Sequence, residues 1–261
     1  MRSRLTVALG RTARLAARVR GGGSGGTAFP GLVMERTDPG FLERTLGRLP
    51  RGVIVVSGTN GKTTTTKMVV QLLREQGLKV FTNRTGSNFV RGVLASLLTE
   101  VDAAGNLDAD IAVLELDEAH AVHFVARVRP RACLLLNVMR DQLDRFGEID
   151  YTASLLHSIA QATSDVVVLN GDDPRLAAPA FLEGVSARVV SFGAGEDLRS
   201  LFLSDDDLRT GLVSPRQAGQ APGPRVTLEA IDGQRATVRV DGVSHEVSFA
   251  IPGVHNLLNA C

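Results

Sequence analysis

The sequence predicts an α/β protein: a doubly wound, mostly parallel sheet that carries a phosphate-gripping loop. Three observations carry that prediction. Short continuous apolar runs, the signature of strands buried on both faces, recur between residues 52 and 170. Stretches with apolar residues at helical spacing separate them. The first run leads directly into SGTNGKTTTT (57–66). That loop lacks the leading glycine of the usual G-x-x-x-x-G-K-[ST] pattern, because Val56 stands six residues before Lys62.

The elements follow in order. MRSRLTVALGRTARLAARVR (1–20) has arginines in every apolar run, so it holds neither a secretory core nor a membrane span. It predicts a basic amphipathic helix that packs on the domain or grazes a membrane surface, with a mitochondrial presequence as the alternative. GGGSGG (21–26) reads as a flexible joint. GVIVVSG (52–58) is a buried strand, and KTTTTKMVVQLLREQG (62–77) a helix ended by glycine. LKVFTN (78–83), ADIAVLEL (109–116), RACLLLNV (131–138) and SDVVVLN (164–170) are further strands. Helices are expected over 89–100 and around 118–128 and 151–163. After about residue 194 the texture changes: 204–225 is polar and broken by Pro and Gly, then VTLEAI, ATVRV and HEVSFA alternate as antiparallel strands do. These observations predict an N-terminal helix-and-linker segment over 1–50 and a main domain over 51–261, with a small β insertion over 194–250. The chain stops at IPGVHNLLNAC, where a helix begins, which predicts a further C-terminal domain absent from this chain.

Composition narrows the function. A net charge of +1 gives no reason to expect nucleic acid as partner. Two cysteines, Cys133 and Cys261, exclude a disulfide framework and a four-cysteine zinc site, and suit a reducing cytoplasm. Cys133 lies in an apolar strand and reads as core, as do His120, His123 and His157 among apolar helical residues.

The loop points to a nucleoside triphosphate. Backbone N–H groups at a helix start cradle phosphate oxygens, and Gly58 and Gly61 let the backbone approach the anion. Lys62 would reach the β and γ phosphates, and the hydroxyl of Thr63 or Thr64 would ligate Mg²⁺. Such a site wants an acid at the end of a neighbouring strand, and Glu115 stands at the carboxyl edge of IAVLEL. Asp117 and Glu118 either join it or cap the following helix.

GTNGKTTT without its leading glycine resembles the Mur ligase family, which joins amines to carboxylates using ATP. NVMRDQLDRFGEIDY (137–151) is similar to that family's N-x-x-x-D-H-L-D-R-H-G stretch, with Gln142 and Phe146 where histidines are usual. VVLNGDDP (167–174) resembles its central-domain signature, and GVHNLLNA (253–260) its adenine-contacting segment. The resemblance implies that ATP phosphorylates a carboxylate and that an amine then displaces phosphate. It also implies roles for Thr59 and Asn60 around the phosphates and for Asn256 at the adenine edge, with His255 stacking or merely packing. Asp173 either contacts the ribose or forms a turn. Asp141 and Asp144 either order the metal site or cap a turn.

DQLDRFGEIDY together with TNRTGSNFVRGVLASLL looks most like the family members that amidate lipid II as ATP-binding subunits. That likeness implies as substrate the α-carboxyl of D-glutamate in the lipid II stem peptide, at the inner membrane face. The implied ammonia donor is a glutamine amidotransferase subunit of the GatD type. A folylpolyglutamate synthase-like ligase and a non-catalytic ATP-binding module are the alternatives. No lysine follows Lys79, so a second metal held by a carbamylated lysine, as in many family ligases, is excluded. The zinc ribbon common in the lipid II-amidating members would need cysteines, and 194–250 has none.

Overall fold

A computed structural model describes residues 2–19, 28–83, 86–140, 148–211, 224–250 and 253–261. The β-branched runs form strands β1 (Val53–Ser57), β2 (Val80–Thr82), β3 (Ile111–Glu115), β4 (Ala132–Leu135) and β5 (Val166–Asn170). Arg188–Ala194 adds β6, and Val226–Asp232, Arg235–Val240 and Val243–Ser248 are β7, β8 and β9. All nine belong to one sheet in the order β2-β3-β1-β4-β5-β6-β7-β8-β9. Pairing is parallel as far as β6 against β7, and antiparallel from β7 through β9. The late β insertion thus extends the main sheet. Its last turn needs only Asp241 and Gly242, both at positive φ, the Asp-Gly pair that tight hairpins favour.

Helices occupy both faces. Helix α1 (Arg2–Val19), α2 (Ala28–Thr37) and α3 (Phe41–Leu46) precede β1. Helix α4 (Lys62–Glu75) follows β1, α5 (Val90–Glu100) follows β2, α6 (Glu118–Val125) follows β3 and α7 (Glu148–Ala162) precedes β5. Successive residues of β1 point to opposite faces. Val53 and Val55 join a core with Leu94, Leu97 and Leu98 of α5, whereas Val56 joins a second core with Val70 of α4. The short helices α8 (Pro179–Leu182), α9 (Asp205–Thr210) and α10 (Val254–Asn259) follow. α9 forms within the polar stretch because Ser204 and Asp207 make a reciprocal capping box.

The N-terminal segment is part of the main core. Val7, Met34, Phe41, Leu42 and Leu46 share a cluster with the α5 leucines. Gly31 is required where α2 meets α5, because a Cβ there would collide with the Arg91 carbonyl. Among the described residues, no helix is long and apolar enough to cross a membrane. The joint at 21–26, together with Asp141, Gln142, Asp144 and Phe146, lies outside the described residues.

The topology fixes where a ligand can sit. β1 lies between β3 and β4, and the chain leaves it first towards β2 and later towards β4. The carboxyl end of β1 is therefore the switch point of the sheet, the place where open α/β sheets bind ligands.

Candidate active site

The loop from Ser57 to Lys62 sits at that switch point. Val56 pairs with Glu115 and Leu134 inside β1. The position where the usual pattern has glycine is thus a buried strand residue here, and the turn begins only at Gly58. Gly58 has φ 133°, and a Cβ on it would stand 3.0 Å from the Asn137 nitrogen. Gly61 has φ 85°, and a Cβ on it would collide with the Asn259 amide. Both positions demand glycine, by conformation and by close approach.

The segment after β4 braces this loop. Asn60 N–H donates to Asn137 Oδ1 (2.8 Å), and Asn137 Nδ2 donates back to the Asn60 carbonyl (3.1 Å). Thr59 N–H donates to the Asn137 carbonyl (3.0 Å), and Met139 N–H donates to Thr59 Oγ1 (3.0 Å). The Thr59 hydroxyl and the Asn60 N–H, expected around the phosphates, thus bind protein groups and hold the loop's shape. Asn137 had no place in the sequence reading of the loop, since nothing local tells that β1 and β4 are neighbours.

Lys62 opens α4, and its ammonium folds across the loop. It donates to the Gly58 carbonyl (2.5 Å) and the Thr59 carbonyl (3.1 Å), and lies 3.8 Å from Glu118 Oε2. Glu118 therefore faces the lysine, while Asp117 takes the N-cap position of α6 without a side-chain cap bond. One residue along, Thr63 Oγ1 donates to Glu115 Oε1 (2.8 Å). Of the two candidate threonines, Thr63 makes this bond. Glu115 is buried, and Asn83 fixes its backbone on both sides. The Glu115 N–H donates to Asn83 Oδ1 (2.9 Å), and Asn83 Nδ2 donates to the Glu115 carbonyl (2.8 Å). Ser57 Oγ adds a bond to the Leu116 carbonyl (2.9 Å), tying β1 to the end of β3.

An open groove of about 950 Å³ begins at Thr63 and Glu115 and runs along α4 past Thr66 and Lys67 to Arg74 and Glu100. On the other side of the loop lies α10, whose Leu257 and Leu258 are buried in the cluster that holds Val56 and Leu136. Asn256 is half-buried in the first turn of α10, and its N–H donates to the Gly253 carbonyl (3.0 Å). His255 packs edge-on against Phe202 at 5.6 Å, which favours the packing role.

Asp173 corrects an expectation. Its Oδ2 accepts from Val138 N–H (2.7 Å), and its Oδ1 accepts from Arg175 and Leu176 N–H groups (3.0 and 3.2 Å). The carboxylate is buried and occupied by backbone, so it forms the turn instead of reaching for a ribose. Burial pushes its pKa up from the usual carboxylate range, against the pull of those three N–H groups.

The donor set suits a hard cation held jointly with phosphates. Thr63 and Glu115 offer a hydroxyl and a carboxylate, the oxygen ligands Mg²⁺ prefers, and Mg²⁺ is commonly held by only one or two side chains plus phosphate oxygens. Among the described residues, no three His, Cys, Asp or Glu side chains gather as a metal cluster.

Comparison with known proteins finds relatives of this chain and solved structures that share its fold. The lipid II isoglutaminyl synthase (glutamine-hydrolyzing) subunit MurT of Streptococcus pneumoniae is 37% identical over 150 residues, covering 57% of this chain and 33% of that protein. The corresponding subunit of Staphylococcus aureus is 32% identical over 177 residues, covering 67% of this chain and 38% of that protein. The chain thus matches about a third of the length of these relatives. The MurF ligase of Thermotoga maritima, solved in complex with ADP, superposes with a TM-score of 0.62 at 21% identity over 85% of this chain and 46% of that one. Residues 56–261 match the Mur ligase middle domain, and the chain belongs to the Mur ligase family.

Proposed function

We propose that residues 51–261 form the ATP-binding domain of a ligase that activates the α-carboxyl of D-glutamate in the lipid II stem peptide for amidation. The observation that carries the phosphate chemistry is the Thr63–Glu115 bond beside Lys62, at the start of α4. The substrate rests on the two MurT relatives.

In this reading the N-terminus of α4 and the Lys62 ammonium hold the β and γ phosphates of ATP. Thr63 and Glu115 are the oxygen donors that would hold Mg²⁺, which when bound neutralises charge on the phosphates. A carboxylate oxygen attacks the γ phosphorus, the bond to the β-phosphate oxygen breaks, and ADP leaves. Ammonia then attacks the acyl carbon and expels inorganic phosphate, losing a proton to give the primary amide. The chain's part in the first step is positioning and charge neutralisation. Glu118, 3.8 Å from the Lys62 ammonium, sets where that charge rests before phosphate competes for it. Asn256 is proposed for the adenine edge, since α10 borders the loop through Asn259 and Gly61. The ammonia is supplied by a GatD-like glutamine amidotransferase subunit, and the work is done in the cytoplasm.

The test is ADP release by the full-length protein, with and without the amidotransferase, on lipid II and on folate with glutamate. Ammonia-dependent release with lipid II, and an amidated product by mass spectrometry, is the expected result. Release with folate alone would replace the substrate assignment. Lys62→Ala is expected to abolish nucleotide binding, and retained affinity would remove the loop from the mechanism.

A further inference from the structure

Helix α1 has an inner face that the fold uses and an outer face that it does not. Thr6, Val7, Gly10 and Ala13 are buried against α2 and α5. The approach is close: a Cβ on Gly10 would stand 3.0 Å from Leu98 Cδ1 and from Met34 Cγ. The outer face carries Leu5, Leu9, Leu15 and Val19, which are 57%, 40%, 63% and 80% exposed. Ala8, Thr12 and Ala16 lie between them and are exposed too. At 3.6 residues per turn these seven positions share an arc of roughly 120°. A helix packed on a globular domain ordinarily turns polar side chains outward, so this stripe calls for a cover.

Charge says what the cover is. Six arginines and no carboxylate precede Glu35. Arg4 and Arg11 border the stripe on the Leu15 side, Arg2 borders it on the Leu9 side, and all three are exposed. Arg11 also donates to the Val101 carbonyl (3.0 Å), and Arg2 lies 3.9 Å from Asp38, so both are anchored at the rim. A helix held flat on its domain, with leucines outward and guanidinium groups along both borders, matches the headgroup layer of an anionic bilayer. We propose that α1 docks the protein on an anionic phospholipid surface. The four large apolar side chains reach the acyl boundary, and Arg2, Arg4 and Arg11 meet the lipid phosphates. With only one such stripe and a few cations, binding is reversible and weakened by salt. The inference stands on α1 alone, and it would hold the protein at the surface where the proposed substrate resides.

The chain contains no tryptophan, so Leu15→Trp provides a reporter without background. On vesicles of mixed phosphatidylglycerol and phosphatidylcholine, its emission is expected to shift to the blue and the protein to co-sediment. Binding is expected to fall about tenfold or more on pure phosphatidylcholine or at high salt. The double variant Leu5→Glu, Leu15→Glu should lose vesicle binding by a similar factor while keeping its unfolding midpoint and nucleotide affinity, because both side chains are exposed. Absence of binding, equal binding to neutral vesicles, or binding that survives the glutamates overturns the proposal. A blue shift without lipid that grows with protein concentration would identify a second copy as the cover. One that needs only the amidotransferase would identify that subunit, and either result also overturns the proposal. The vesicles carry neither lipid II nor nucleotide, so failure here leaves the proposed reaction untouched.

Discussion

Restoring the glycine that the usual loop pattern has, by Val56→Gly, should damage the protein and bring no gain in nucleotide binding. Val56 is fully buried, pairs with Glu115 and Leu134, and packs in the cluster of Val70, Leu136 and Leu257. Removing its isopropyl group loses about 2 kcal/mol of transfer and cavity energy. The added freedom of glycine in a strand costs about 1 kcal/mol more. A loss of about 3 kcal/mol in a chain this long lowers the unfolding midpoint by about 5 °C. Val56→Ala separates the two contributions, since it removes the two γ methyl groups without freeing the backbone and should cost about 2 kcal/mol. Thermal melts followed by circular dichroism, alongside titration with a fluorescent ATP analogue, read both quantities. A neutral Val56→Gly, or one that binds nucleotide more tightly, would show that residue 56 belongs to the loop and not to β1.

Three further outcomes are expected. Gly61→Ala forces a left-handed backbone and displaces the Asn259 amide; the strain alone costs about 1–2 kcal/mol. In an Asn259→Ala background the loss should shrink, and an identical loss in both backgrounds by denaturant unfolding would separate α10 from the loop. Burial pushes the thiols of Cys133 and Cys261 up to about 12, so a disulfide reagent at mildly alkaline pH should titrate neither until the chain unfolds. Asp173 has a folded pKa raised above its ordinary 3.8, so the folded state binds more protons than the unfolded one in the window above that value. Its contribution to stability should therefore fall as pH rises through that window and level off above the folded pKa. Denaturant melts across that range should show a slope that Asp173→Ala removes, and an unchanged slope would assign the effect elsewhere.

What the sequence conveyed, and what it withheld, follows from how local each feature is. β1, β3, β4 and β5 were legible because parallel strands covered on both faces must be apolar at every position. Glu115 was legible as the first acid at the end of such a run. Choosing Thr63 over Thr64 needed the phase of α4, which depends on where the turn of Gly61 ends. Glu118 was balanced between capping and site because a first-turn acid serves either purpose, and only the meeting of α6 with α4 decides. Asn137 escaped because its bonds to Asn60 join residues 77 apart, through strands whose adjacency no local pattern records. Asp173 was balanced between a ribose contact and a turn, and three backbone N–H groups claim it once the segments around Val138 and Leu176 converge. The order of arginines and apolar residues over 1–20 predicted a basic amphipathic helix; which of its faces meets the protein depends on the fit of Gly10 against Met34 and Leu98.

The bracing of the loop by Asn137 has a thermodynamic corollary. Residues 58–61 surrender their conformational freedom when the protein folds, so little is left to surrender when an anion arrives. Affinity for phosphates and resistance to unfolding then become linked quantities: a ligand that selects the braced loop raises the melting point, and any lesion that loosens β4 from β1 weakens both together.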